Sequence, residues 1–213
     1  MKKILLIIGV LLLFVSCELE PFPSTENNET EETIIEEKSE LFNCEDDVFV
    51  FETNDTSYLT DDGYTLWCVK YENMSESFEN IQVTVSKESG KDSPGFGIVF
   101  LQQEYEEKDY LLSVMINTKG QYTVGKVIDG NYKSIINWKS CKSLNKGYGV
   151  LNKIEVSLND SVYMLKLNDV EVTTFAVTES VKIQNSKWGY VAVLANNENF
   201  PGNPGVIKFK NKH

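Results

Sequence analysis

The segments GFGIVFL at residues 95–101 and YLLSVMI at residues 110–116 dominate the middle of this chain. Short apolar runs of this kind, rich in β-branched and aromatic residues, are typical of strands that are buried on both faces. A third run, YVAVL at residues 190–194, has the same character. The three segments predict central strands of a sheet, or strands whose second face lines a groove.

Other segments alternate apolar and polar residues with a period of two, which predicts half-buried strands. The clearest examples are Ile81, Val83 and Val85, and then Ile154, Val156 and Leu158. The pairs Asp129-Gly130 and Asn168-Asp169 are typical of tight hairpin turns. We count about eleven or twelve short strands and one short helical candidate at residues 104–108. The pattern therefore predicts a β-sandwich or barrel.

The order of these segments resembles the concanavalin A-like (laminin G-like) jelly-roll domains of many exported bacterial proteins. The resemblance rests on the apolar strand at 95–100, the strand at 109–114, the hairpin segments at 120–124 and 130–132, Trp138-Lys139-Ser140, the strand at 152–156, and the late turn at 167–170. Asp169 departs from the glycine that is usual at its position. The resemblance covers roughly residues 45–210 and implies an all-β, two-sheet antiparallel jelly-roll sandwich, which we place at residues 43–213.

The chain begins with two lysines, Lys2 and Lys3, and an apolar run over residues 4–15. This run is too short to span a bilayer as a helix and is typical of a secretory signal. It ends in Ser16-Cys17, which resembles the lipobox of bacterial lipoproteins, although Phe14 stands where leucine is usual. The resemblance implies cleavage after residue 16, lipid attachment to Cys17, and a lipid-anchored location in the cell envelope, at the outer membrane, the cell surface or the periplasmic face.

Residues 17–42 are expected to form a disordered acidic tether. Residues 18–47 hold twelve acidic residues and one lysine, which is a local charge of −11, whereas residues 48–213 carry only −3 of the total of −12. Segments with this much charge and few apolar residues do not repay the entropy of folding. Because the domain lacks a basic patch, we expect no nucleic-acid partner.

Catalytic chemistry has little support in the sequence. The only histidine is the terminal His213, which argues against Ser-His catalysis and against a zinc site. Glu104 and Glu106 alternate, as the carboxylates of a glycoside hydrolase do, but their segment has the composition of a solvated loop. We therefore expect no catalytic residues.

We expect no cofactor and no metal. Structural calcium is the one exception that the fold resemblance raises, with Asp46-Asp47 and Asp61-Asp62-Gly63 offering oxygen ligands without a recognisable loop spacing. After lipidation, Cys44, Cys68 and Cys141 remain, and an exported protein could oxidise one pair of them. The spacing does not decide which pair.

Aromatic and loop residues are the remaining resource for binding. Flat rings with a polar edge anchor ligands and partners, and rigid sandwiches carry function on their loops. The candidate ligand contacts are Tyr132, Trp188, Asn197, Asn199 and Phe200, the last three within the long polar loop at residues 196–204. Trp138 is discounted, because the fold resemblance makes it a structural residue.

The leading hypothesis is a lipid-anchored envelope protein whose domain binds carbohydrate or glycoconjugate without catalysis. One alternative is a structural envelope protein that binds another protein, for instance by pairing an exposed strand edge. The other alternative is a glycoside hydrolase.

Overall fold

A computed structural model describes residues 42–45, 48–53, 64–74, 80–195, 202 and 204–211. Residues 17–41 of the tether with Cys17, both predicted calcium segments and the loop residues Asn197, Asn199 and Phe200 lie outside these ranges, whereas Phe42, placed in the tether, begins the first strand. Within them the chain forms thirteen strands: β1 Phe42–Glu45, β2 Val48–Thr53, β3 Tyr64–Asn73, β4 Asn80–Ser89, β5 Phe96–Tyr105, β6 Lys108–Ile116, β7 Gln121–Ile128, β8 Asn131–Ser140, β9 Asn152–Asn159, β10 Val162–Leu167, β11 Val170–Phe175, β12 Lys187–Ala195 and β13 Gly205–Asn211.

The strands form two antiparallel sheets. The seven-stranded sheet has the order β1-β2-β13-β4-β9-β10-β11, and the six-stranded sheet has the order β3-β12-β5-β6-β7-β8. The two sheets pack face to face, and the described parts of the chain contain no helix. The predicted all-β, two-sheet antiparallel jelly-roll sandwich is confirmed.

The apolar runs occupy the positions that their composition predicts. The runs at 95–101, 110–116 and 190–194 form most of β5, β6 and β12, which lie in the interior of the six-stranded sheet. The alternating segments form β4 and β9, which pair with each other so that their apolar residues share one face. Period-two alternation therefore correctly predicted the strands that are buried on one face, and continuous apolar runs correctly predicted the strands that are buried on both faces.

The helical candidate at residues 104–108 is wrong. Glu104 and Tyr105 end β5, and Lys108 begins β6. Glu106 and Glu107 between them have φ values of 52° and 59°. Two consecutive left-handed residues are the mark of a type I′ hairpin turn, so this polar segment is a tight turn.

The two other predicted hairpin turns are present. Asp129 and Gly130 join β7 to β8 with φ values of 51° and 72°. Asn168 and Asp169 join β10 to β11 with φ values of 52° and 67°, although neither is a glycine. The Asn168 side chain stabilises this turn, because its Oδ1 accepts a hydrogen bond of 2.7 Å from the Lys153 backbone N–H.

Aromatic rings join the two sheets in the core. Tyr190 of β12 stacks on Phe209 of β13 and on Phe49 of β2, with ring centroids 4.7 Å and 5.3 Å away. Phe100 of β5 contacts Tyr163 of β10 across the same interface, with centroids 5.6 Å apart. Pairs at these distances contribute about 0.5–1.5 kcal/mol beyond the burial of their area. The rings thus fix which strands face each other across the sandwich.

Residues 176–186 connect β11 to β12 and cover one end of the core. We call this connection the strap. Val177, Val181 and Ile183 pack against the main core, although no strand forms here. The Ser186 carbonyl accepts a hydrogen bond of 2.9 Å from the Met74 backbone N–H, which fastens the strap beside β3.

Candidate functional site

The six-stranded sheet is apolar on both of its faces. Tyr190, Leu112 and Val124 point into the main core. The alternate residues form a second buried cluster on the other side of the sheet, which we call the outer face; this cluster consists of Val99, Leu111, Met115, Val127, Val191 and Val193. Cross-strand partners share a face, so the register assigns further residues to it. Gln102, Glu104 and Asp109 belong to the outer face by this rule.

Tyr132 lies on the outer face with its ring across Gly125. Its strand position pairs with Val127 of the outer cluster. A Cβ atom at Gly125 would stand only 2.4–2.5 Å from the Cε2, Cζ and Oη atoms of the ring. The Tyr132 hydroxyl lies 3.2 Å from Thr123 Oγ1, and the side chain remains 43% exposed. The missing side chain at Gly125 therefore lets the ring lie against the sheet, where Thr123 holds its end.

Trp138 also lies on the outer face. Its ring edge is 3.1 Å from the Cβ position of Gly95, beside the Met115 side chain, and the residue is 41% exposed. The expectation that Trp138 is purely structural missed this exposure. The register between β7 and β8 shifts twice, with an extra residue in β8 each time, so the two shifts cancel and Trp138 lies on the same face as Tyr132.

Trp188, by contrast, lies on the inner face. It packs against the main core and meets Tyr190 edge-on, with ring centroids 5.7 Å apart. The structure therefore places Tyr132 and Trp188 on opposite faces of the sheet. Ligand contact by Trp188 stays a prediction, as does contact by the loop residues that lie outside the described ranges.

A polar pocket of about 450 Å³ opens at the end of the outer face that carries the β5–β6 hairpin. Strand residues of the outer face form part of it, and the strap closes another side. The lining consists of Gln102, Gln103, Glu104, Asp109, Lys182, Gln184, Asn185 and Lys187. The sequence does not indicate this pocket, because the strap that completes it is distant in the chain from β5. Lys182 follows Gln103 by 79 residues.

Several polar groups of the pocket have no partner among the described residues. Gln102 is only 5% exposed, yet its side-chain amide makes no hydrogen bond to any described residue. The carboxylates of Glu104 and Asp109, which pair across the hairpin, are equally without a described partner. The Gln103 amide, in contrast, donates a hydrogen bond of 2.8 Å to the Lys182 carbonyl and so fixes the strap.

A partly buried ion pair lies behind this end of the sheet. Glu179 of the strap forms an ion pair with Lys126 of β7. Burial would raise the pKa of Glu179, but the hydrogen bond and charge of Lys126, together with hydrogen bonds from the Glu179 backbone and the Thr178 side chain, hold the pKa below its ordinary value of 4.5. Burial, together with the negative charge of Glu179, raises the pKa of the Tyr110 phenol well above its usual range. Within the described part of the chain, both Tyr110 Oη and Glu179 Oε2 are buried without a hydrogen-bond partner.

Metal-ligating and thiol groups are sparse in the described ranges. They contain no group of three or more His, Cys, Asp or Glu residues that could hold a metal ion. Cys141 is a free, buried thiol whose Sγ lies 3.0 Å from Ser143 Oγ. A search of the same residues for a helix long and apolar enough to cross a membrane finds none.

No protein-family model matches the chain, and no curated protein matches it in sequence. Solved structures do match it in fold. LamAcat from Zobellia galactanivorans superposes with a TM-score of 0.50 at 11% identity, over 80% of this chain and 78% of that one. The alginate lyase A1-II′ of polysaccharide lyase family 7 gives a TM-score of 0.50 at 14% identity, over 79% and 80% of the two chains. The GH16 protein of the Bacteroides ovatus mixed-linkage glucan PUL gives 0.50 at 7% identity, over 79% and 81%. The chain thus has the concanavalin A-like jelly-roll fold.

Proposed function

We propose that this protein is a non-catalytic carbohydrate-binding protein whose binding site lies on the outer face of the six-stranded sheet. The observation that carries the proposal is the Tyr132 ring, which lies against Gly125, is held by Thr123, and still leaves 43% of the residue exposed. A ring fixed in this way loses little conformational entropy when a ligand binds.

A second exposed ring supports the same ligand class. Trp138 presents 41% of its surface on the same strand and the same face as Tyr132. Sugars present apolar C–H faces edged with hydroxyl groups, and aromatic rings with nearby hydroxyls and amides complement both features. Among fold neighbours, the Bacteroides ovatus protein was solved with a G4G4G3G product, so this fold can accommodate a glucan.

The outer face offers poor support for glycoside hydrolysis. The buried outer cluster across the middle of the sheet is entirely apolar, and Ser113, Thr123 and Gly125 are the neighbouring positions on β6 and β7. Glu106, the predicted partner of Glu104, lies in the hairpin turn. Glu104 is exposed, so it lacks the apolar enclosure that surrounds the general acid of a glycoside hydrolase.

We also propose that the domain is held at a membrane of the cell envelope by lipid on Cys17. The support is the signal-like segment that ends at this cysteine and the acidic segment that follows it. Two or more acyl chains give durable attachment, whereas one chain gives only marginal binding. A binding domain on an acidic tether would stand away from anionic headgroups and face its ligand.

The test is a glycan array probed with the purified protein, followed by calorimetry on the glycans that bind. Tyr132→Ala removes the ring, and Gly125→Ala keeps the ring but leaves no room for its present position. We expect both variants to bind about tenfold more weakly, because each loses roughly 1.4 kcal/mol of ring contact.

Tyr148→Ala is the matched control, since Tyr148 is 42% exposed but lies on the loop between β8 and β9. It should bind like the wild type. Absence of binding to every glycan, or equal losses in the control, would contradict the proposal.

A further inference from the structure

We infer that the polar pocket at the β5–β6 hairpin is a subsite for an uncharged sugar unit, which it binds through hydroxyl groups. The inference rests on the proposed function for its premise that the ligand is a carbohydrate. It adds a second site of contact, with residues distinct from Tyr132, and it specifies the chemical class of the unit bound there.

The side-chain amide of Gln102 is the first observation that supports a sugar subsite in the pocket. Its residue is only 5% exposed and lines the pocket, and no described group satisfies the amide. The amide atoms are not among the fully enclosed polar atoms without a partner, so they are open to the pocket. A ligand that supplies both a donor and an acceptor can satisfy this amide, and a sugar hydroxyl can do both.

The carboxylate pair is the second reason. Glu104 and Asp109 are direct cross-strand partners, so their Cβ atoms are roughly 4.5–5.5 Å apart on one face. Like charges in this position repel each other, so each carboxylate is better placed when a hydrogen-bond donor faces it. Two neighbouring hydroxyl groups of one sugar ring would each donate to one carboxylate, and such charge-assisted bonds are about twice as strong as neutral ones.

The balance of charge favours an uncharged ligand. The lining contains two carboxylates, from Glu104 and Asp109, and two ammonium groups, from Lys182 and Lys187, so its formal charge is zero. A uronate or a cationic amino sugar would be attracted by one of these pairs and repelled by the other, so the lining as a whole favours neither sign of charge. A neutral polyol avoids both penalties and complements the amides that make up the rest of the wall.

The position of the pocket fits a ligand longer than one sugar. Asp109 is on β6 and Tyr132 is on β8, so the two are separated by two strand spacings, or roughly 10 Å across the same face. An oligosaccharide that lies across the strands can therefore contact the pocket and the ring together, which would couple the two contacts through one ligand.

The experiment follows the side-chain amide signals of Gln102 and Asn185 by NMR during titration of the full-length protein in detergent. The probes are glucose, galactose, mannose and xylose as neutral sugars, and glucuronate and glucosamine as charged ones. We expect at least one neutral sugar to shift both signals, and the charged sugars to leave them unchanged at equal concentration. Equal shifts with glucuronate or glucosamine would overturn the assignment, and so would the absence of any shift.

Variants separate this inference from the proposed function. Glu104→Gln and Asp109→Asn should each weaken pocket binding at least about tenfold, because each replaces a hydrogen bond to a charged acceptor with a weaker neutral one. Glu106→Gln, in the same hairpin but outside the pocket, is the matched control and should bind like the wild type.

A glycan from the array that loses affinity with Tyr132→Ala but not with the pocket variants would contradict the subsite and leave the proposed function intact. Hydrolysis of that glycan by the wild type, lost in Glu104→Gln, would contradict both, since the pair would then be catalytic.

Discussion

At the scale of single residues, Glu179 shows how folding tunes a charge. In the folded state its carboxylate is largely removed from water and forms an ion pair with the Lys126 ammonium. Because the resulting pKa lies below 4.5, the folded state binds a proton at this group less readily than the unfolded chain does. The carboxylate therefore stabilises the fold above pH 4.5, and this contribution is lost as the pH falls through the lowered pKa.

We predict that Glu179→Gln destabilises the protein above pH 4.5 and that the difference from wild type shrinks as the pH falls below it. Urea unfolding at a series of pH values measures the free-energy difference directly. Glu171→Gln, which removes an exposed carboxylate from β11, is the control for the change in overall charge. A difference that stayed constant or grew in acid would show that the ion pair does not stabilise the fold.

The sequence indicates some features of Tyr132 and Trp138 and does not indicate others. Composition identified Tyr132 as a candidate contact, but nothing in the sequence indicates that Gly125, on the neighbouring strand, makes room for its ring. The regular alternation of side chains between the two faces is also interrupted in β8. Its even-numbered residues Tyr132 and Ile136 lie on opposite faces, because an extra residue at Ile135 shifts the register between them. Such shifts depend on pairing, which a single strand does not encode.

At the scale of elements, two of the four edge strands, β8 and β11, argue against recognition by strand pairing at those edges. β8 and β11 each end a sheet, and each carries a bulge where its register shifts against its neighbour. Bulges twist an edge away from a regular ladder, and lysines on the edge discourage a further strand. β8 carries exposed Lys133 and Lys139 in addition to its two bulges. These two edges therefore favour binding through side chains on the sheet face over strand addition.

The strap is the element that links stability to the pocket. Ile183 is half-buried against the main core, and its neighbours Lys182 and Gln184 line the pocket. We predict that Ile183→Ala lowers the free energy of unfolding by about 1–2 kcal/mol, less than the roughly 2–5 kcal/mol of a fully buried site. It should also weaken binding in the pocket, because the strap loses its apolar attachment.

Chemical unfolding and sugar titration of the same variant measure the two effects. Ser180→Ala, at an exposed position of the strap, is the matched control and should change neither. Full stability together with weakened binding would show that the strap acts through local contacts and not through the core.

At the scale of the whole molecule, the fold was predictable and the site was largely not. The two periodicities of the apolar pattern distinguish β4 and β9 from β5, β6 and β12, and the turn pairs locate the hairpins. These are local signals, so a sequence carries them directly. The pocket joins β5, β6, the strap and the start of β12, and its key amide, Gln102, sits where β5 shifts register beside Leu101, a residue with φ of 54°. A pocket formed by segments that are distant in the chain can be recognised only once the sandwich is assembled.

The acidic segment and Cys17 extend the molecule beyond its described part, and they carry the last prediction. Residues 48–213 have a net charge of only −3, and the described residues contain no helix long and apolar enough to cross a membrane. If lipid on Cys17 is the anchor, Cys17→Ala should move the protein from the detergent phase to the aqueous phase in detergent partitioning.

Cys141→Ala is the matched control. Cys141 is a buried thiol inside the domain, so its replacement should leave partitioning unchanged. Because the acidic segment is expected to contribute no core, Cys17→Ala should also leave the thermal unfolding midpoint and glycan binding as they are in the wild type. Retention of the Cys17→Ala protein in the detergent phase would mean that another part of the chain grips the membrane. A lowered unfolding midpoint would mean that Cys17 or its lipid contributes to the stability of the folded protein.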